Sequence, residues 1–158
     1  MYGSFNLKIS NSRAAYRFTL TRNITIVCGD SGTGKTTLYE MIAEHARFGA
    51  ASGVSVSAAV PCVALTDSDW KAQLAAFQGS IVFIDEGAQF LSSREFAAAV
   101  KASDNYYVIF NRESLHELPY SVEEIYEIRH SGRYHTFKKI YKRTADLTYA
   151  KARAGTAE

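Results

Sequence analysis

The sequence predicts an α/β domain in three layers, with a mostly parallel central sheet, antiparallel strands before it and a β-hairpin after it. Three observations carry this. The runs Ile24–Cys28, Ile81–Ile84 and Tyr106–Phe110 are apolar almost throughout, as strands buried on both faces are. Segments with helical spacing of apolar residues separate them. Each run ends in residues suited to chemistry: a glycine-rich turn after Cys28, Asp85-Glu86 after Ile84, and Asn111 after Phe110. In sheets of this class ligands bind at the carboxyl ends of the strands.

Taken in order, Phe5–Ile9 and Tyr16–Leu20 alternate apolar and polar residues, with Asn11-Ser12 between them, and predict an N-terminal hairpin or pair of edge strands. Thr21-Arg22-Asn23 turns the chain into the first buried strand. Beyond the glycine-rich turn, Leu38, Met41, Ile42 and His45 predict a helix to Phe48, closed by Gly49. Residues 54–65 read as strand, interrupted at Pro61. Thr66-Asp67-Ser68-Asp69 offers N-cap residues to a helix bearing Trp70, Leu74 and Phe77. Ser92 and Glu95 have capping-box spacing before an alanine-rich helix to about Ala102. A short helical turn is expected at Ser114–Leu118, stopped by Pro119. Ile125–His130 and Arg133–Tyr141 flank Ser131-Gly132, a two-residue hairpin signal. Residues 1–143 thus read as one domain, and the tail 144–158 as frayed or weakly helical.

Composition sets the limits. The 158 residues are 47% hydrophobic and 22% charged, enough for a sizeable core. A net charge of +2 gives no whole-chain bias toward a polyanion. There is no secretory leader pattern at Met1–Phe5 and no apolar run of membrane-spanning length, so no membrane insertion is expected. Cys28 and Cys62 each sit in an apolar run without a ligand-spaced partner, the usage of a reduced, cytoplasmic protein.

The central motif is Gly29-Asp30-Ser31-Gly32-Thr33-Gly34-Lys35-Thr36-Thr37, which matches G-x-x-x-x-G-K-[ST] between a strand and a helix. Glycines let backbone N–H groups converge on phosphate oxygens, and the helix N-terminus adds its dipole. Lys35 can reach the β- and γ-phosphates, and the Thr36 hydroxyl can ligate Mg²⁺. Asp85 is placed to hold the same Mg²⁺, directly or through water. Glu86, next in the chain, can act as general base on an attacking water. Asn111, at the end of the third buried strand, can orient that water or sense the γ-phosphate.

Ile24–Thr37 resembles a Walker A motif, and Ile81–Glu86 a Walker B motif of the form hhhhDE. With Asn111, the stretch 5–115 resembles the division of P-loop NTPases with an additional strand and a catalytic glutamate, which includes AAA-type and ABC-type ATPases. The N-terminal strand pair is similar to the ABC-like arrangement, and Asp85–Leu91 is similar to the D-E-A-x-x-F-L form of pumping and secretion ATPases. The chain carries no Leu-Ser-Gly-Gly-Gln-like signature and no C-terminal helical lid pattern, and reads as a minimal single-domain member of the division.

The resemblance implies ATP and Mg²⁺ as cofactors, hydrolysis to ADP and phosphate, and a protein partner or self-association. Arg112 and Arg133 are the candidate arginine fingers, with Arg129 near the C-terminal hairpin turn and Arg94 opening the helix after Asp85-Glu86 as further arginines. Residues 129–153 interleave cations with Tyr134, Phe137, Tyr141 and Tyr149, a pattern that suits nucleic acid or, alternatively, a solvated edge strand whose lysines block aggregation. Two other functions fit a phosphate loop: a non-catalytic nucleotide-dependent regulatory module, and a small-molecule kinase, against which the hhhhDE pair argues.

Overall fold

The computed structural model describes residues 3–28, 34–111 and 124–142. Three strands lead the chain: β1 (Phe5–Ser10), β2 (Ala15–Leu20) and β3 (Ile24–Cys28). Helix α1 (Lys35–Phe48) follows, then β4 (Ser55–Ser57), β5 (Cys62–Leu65), α2 (Trp70–Ala76) and β6 (Ile81–Ile84). Helix α3 (Arg94–Ala102), β7 (Tyr106–Phe110), β8 (Glu124–Ser131) and β9 (Tyr134–Lys142) complete it. The helical turn expected at Ser114–Leu118 and the tail from Thr144 lie outside the described residues.

All nine described strands join one sheet, in the order β4-β1-β2-β9-β8-β3-β7-β6-β5. The block β8-β3-β7-β6-β5 is parallel throughout. Strand β7 lies between β3 and β6, so the two motif-bearing strands are not neighbours, and Asn111 emerges between their ends. All residues of β3, β6 and β7 are buried. Their alternating side chains feed two separate clusters. Val27, Phe83, Val108 and Phe110 meet Leu38, Met41 and Ile42 of α1. Ile26, Val82, Ile84, Tyr107 and Ile109 meet Leu74 of α2 and Phe96 and Val100 of α3. Burying a side chain of this size contributes about 1.5–3 kcal/mol. Helix α1 therefore lies on one face, with α2 and α3 on the other.

The sheet departs from a flat three-layer sandwich. Strands β8 and β9 form the expected antiparallel hairpin, and β9 then pairs in parallel with β2 over Ala15–Arg17 and Tyr134–Thr136. The N- and C-terminal hairpins thus extend the central sheet and curl it around α1. The helix touches β1 and β4 near one end of the sheet and β5 and β6 at the other. Phe18 of β2 comes within 6.4 Å of Phe83 of β6, and Phe5 of β1 packs edge-on against Tyr106 of β7 at 5.2 Å. The His45 ring meets Val54 O at 3.0 Å, next to edge strand β4, and the Tyr39 hydroxyl donates to Leu65 O of edge strand β5. The cause is burial. Leu7, Ile9, Phe18 and Leu20 line one face of the N-terminal hairpin, and they share one apolar cluster with α1 and the core strands.

Local differences from the sequence expectation have simple causes. The cap of α3 is Ser93, whose Oγ accepts from Phe96 N at 3.1 Å, and not Ser92. Ser92 ends a short 3-10 turn, Gln89–Ser92, and exposed Glu95 pairs with Lys71 instead of closing a capping box. At α2, Asp69 is the N-cap residue but makes no side-chain cap bond, and its backbone is left-handed, with φ 59. Gln73 ties the turn instead through Thr66 and Ser68. The hairpin turn is Gly132-Arg133, one residue beyond the expected pair, with Ser131 opposite Tyr134 and Gly132 at φ 62.

Candidate functional site

Lys35 is the first residue of α1, at the carboxyl end of β3. Its side chain is only 2% exposed, and its Nζ lies 3.6 Å from Glu86 Oε1. This contact joins the two motif segments across the intervening strand β7. A buried ammonium needs a charged partner, and Glu86 supplies one. Asp85, beside it, accepts the Glu86 N–H on Oδ1 at 2.9 Å. Burial, with a smaller contribution from the Glu86 charge, holds the Asp85 carboxyl above its usual range, against the opposing effects of that N–H and of Lys35.

Asn111 follows β7, and its N–H donates to Val27 O at 2.9 Å, extending the β7–β3 ladder by one rung. It stands between Asp85-Glu86 and the end of β3. Thr36 and Thr37 are exposed on the first turn of α1. Gly29, Asp30, Ser31, Gly32 and Thr33 lie outside the described residues, as does Arg112. Lys35, Asp85, Glu86 and Asn111 are thus gathered at one end of the parallel strands.

Arg133 is engaged elsewhere: its Nη2 donates to Asn11 O, and its guanidinium lies 5.4 Å over the Tyr134 ring. Arg129 pairs with Glu127 at 3.3 Å, and Arg94 is exposed at the start of α3.

Sequence reasoning missed four residues around this site. The Tyr16 hydroxyl donates to Gly34 O at 2.9 Å, and His135 stacks on the Tyr16 ring with centroids 4.4 Å apart. Gly34 has φ 102, and a Cβ there would meet the Tyr16 oxygen at 2.9 Å and His135 at 3.3 Å. Glycine is required at this position for conformation and for space. Tyr39 feels the charges of Asp85 and Asp67, which, after burial, raise its hydroxyl pKa. Asp67, past β5, accepts the Gln89 N–H and so fixes the loop after Asp85-Glu86. The contacts join residues far apart in the chain, and no spacing pattern marks them. An open groove of about 560 Å³ lies beside this loop, lined by Asp67, Trp70, Gln89 and Phe90 among others.

The donor set suits magnesium. Thr36 and Asp85 offer a hydroxyl and a carboxylate, hard oxygen donors, and no cluster of three or more His, Cys, Asp or Glu among the described residues could cage a metal alone. A Mg²⁺ held by one or two protein oxygens and completed by phosphate and water has this character.

A match to the family described as ATPase family associated with various cellular activities (AAA) covers residues 25–111, more than half of the chain. The chain belongs to the AAA family. The AAA match starts within β3 and ends at Asn111, so it includes every core element from the phosphate-loop strand to the β7 terminus. With it come a P-loop α/β fold and an ATP-binding domain of ATPase type. No curated protein matches the chain. Among the described residues no helix is long and apolar enough to cross a membrane.

Proposed function

We propose that this AAA domain, over residues 1–143, is a Mg²⁺-dependent ATPase that hydrolyses ATP to ADP and phosphate and couples this to a partner process. The observation that carries the reading is the Lys35–Glu86 contact at 3.6 Å. It supports a site in which Lys35 binds a phosphate group and Glu86 acts on the water beside it. On ATP binding the γ-phosphate takes over Lys35 as partner and releases Glu86. The Glu86 carboxylate accepts a proton from the attacking water, and the Asn111 side chain orients that water. The loop N–H groups of 29–34 and the α1 N-terminus hold the phosphates, flanked by Thr37. Thr36 and Asp85 would hold Mg²⁺, which supplies charge neutralisation at the β- and γ-oxygens. The partial desolvation of Asp85 supports this, since a carboxylate at such a position gains most from a nearby cation. Among the candidate fingers, Arg133 is held by Asn11, so Arg112 or an arginine from a second subunit is the better source.

The test is phosphate release from ATP with Mg²⁺, for the parent protein and for Glu86→Gln. Loss of turnover in the variant supports the assignment, and unchanged turnover removes Glu86 from the role of base. Consumption of ATP only in the presence of a small-molecule acceptor would favour the kinase reading instead.

A further inference from the structure

The sheet has a second face that the nucleotide site does not use. On β4-β1-β2-β9-β8 one set of alternating residues enters the core: Leu7, Ile9, Tyr16, Phe18 and Ile128, with Phe137 packed against them. The other set points outward. The strand register aligns that set into a row, because Ser57 is opposite Lys8, Lys8 opposite Arg17, Arg17 opposite Thr136, and Thr136 opposite Arg129. At about 4.8 Å per strand the row spans about 19 Å. Lys138 lies on the same face two residues along β9, and Tyr134 two residues the other way. Lys8, Arg17, Arg129 and Lys138 are all exposed, and Tyr134 is 60% exposed. The described residues put one carboxylate among them, Glu127, which pairs with Arg129 at 3.3 Å.

Edge protection does not account for this face. The edge strands are β4 and β5, whereas β1, β2, β8 and β9 each pair on both sides. Lys8 lies opposite Ser57 and Arg17, and Arg17 opposite Lys8 and Thr136, so these two cations have no edge to protect. Nor does the face suit a lipid surface, since among the described residues Tyr134 is its one exposed large apolar side chain. A row of cations suits a polyanion. An exposed aromatic ring with the Arg133 guanidinium over it, 5.4 Å from its centroid, suits an unpaired base.

We propose that the outer face of β1, β2, β9 and β8 is a binding platform for single-stranded nucleic acid, with Lys8, Arg17, Arg129 and Lys138 on the phosphates and Tyr134 stacked on a base. The platform is independent of ATP hydrolysis, yet it is joined to the nucleotide site. The inner side of the same β9 segment carries His135, which packs on Tyr16 and Gly34.

The experiment is fluorescence anisotropy of a labelled oligothymidylate titrated with the full chain, without ATP, between about 50 and 200 mM salt. Saturable binding is expected, with log K falling against log salt at a slope of about −2.8, or about −0.7 per cation. Lys8→Ala/Arg17→Ala halves that slope. Tyr134→Ala weakens binding about tenfold and leaves the slope unchanged, because stacking is not a counterion effect. Lys101→Ala, on exposed α3, changes neither. The proposal is overturned by no saturable binding at the low salt limit. It is also overturned by a Lys101→Ala effect equal to that of the double variant, or by a duplex or anionic vesicle binding more tightly than the single strand. The nucleotide reading survives any of these results, since the assay contains no ATP.

Discussion

Replacing Gly34 by alanine tests how the phosphate loop is held. Two costs are expected. The backbone at φ 102 is strained for a residue with a Cβ, at about 1–3 kcal/mol. The new Cβ would also lie 2.9 Å from the Tyr16 oxygen, so the hydroxyl must leave Gly34 O and lose a hydrogen bond of about 1 kcal/mol. Together Gly34→Ala should cost about 2–4 kcal/mol in denaturant unfolding. Tyr16→Phe alone should cost about 1 kcal/mol, since His135 still stacks on the ring. In the double variant the clash is gone and only strain and the missing bond remain. Its cost should fall short of the summed singles by about 1 kcal/mol, a coupling of the size seen between residues in contact. ATP affinity, followed by a fluorescent nucleotide, should drop about tenfold in Gly34→Ala as the Lys35 segment shifts. Strictly additive costs, or a Gly34→Ala protein as stable as the parent, would refute the packing argument.

Two further predictions concern stability. Ser93→Ala removes the side-chain cap of α3 and should cost about 1 kcal/mol, whereas Ser92→Ala should be nearly neutral; chemical denaturation distinguishes them. Burial pushes the Cys62 thiol up to about 12 and, with the Glu127 charge adding, the Cys28 thiol up to about 11, from an ordinary 9.0. Below that ordinary value both folded and unfolded chains keep these protons. Above it the unfolded chain loses them first, so the native state binds more protons and stability falls as pH rises from about 9. Unfolding at stepped pH should show this decline, and Cys62→Ala should flatten it. A thiol reagent at neutral pH should leave both groups unmodified until the protein unfolds.

The parts of the fold written most clearly in the sequence are those fixed by burial on both faces. Ile81–Ile84 and Tyr106–Phe110 appear as strands at their expected bounds, since a central strand covered on both faces buries every residue of such a short, β-branched and aromatic run. Asp85, Glu86 and Asn111 follow from the same fact, since a charged or polar residue ending a buried strand emerges at the sheet's carboxyl edge. What the residues could not state was long-range register. The pairing of β2 with β9 brings Tyr16 beside His135, and it depends on two hairpins more than a hundred residues apart. The curl of the sheet follows from that pairing and from the apolar inner face of β1 and β2. Ser92 and Ser93 are equivalent as capping residues until the 3-10 turn at Gln89–Ser92 assigns one of them. The basic residues were visible as a run from 129, but Lys8 and Arg17 join them only through register.

The central claim is that Glu86 serves as base on a water at the phosphate that Lys35 holds. Single-turnover hydrolysis by Glu86→Gln, with ATP affinity measured in parallel, tests it most directly. The account predicts a rate lowered by about 10²–10⁴-fold, the range of general-base catalysis, with affinity preserved or improved because Glu86 no longer competes for Lys35. A variant that hydrolyses bound ATP at the parent rate, or that fails only by losing ATP, would contradict it.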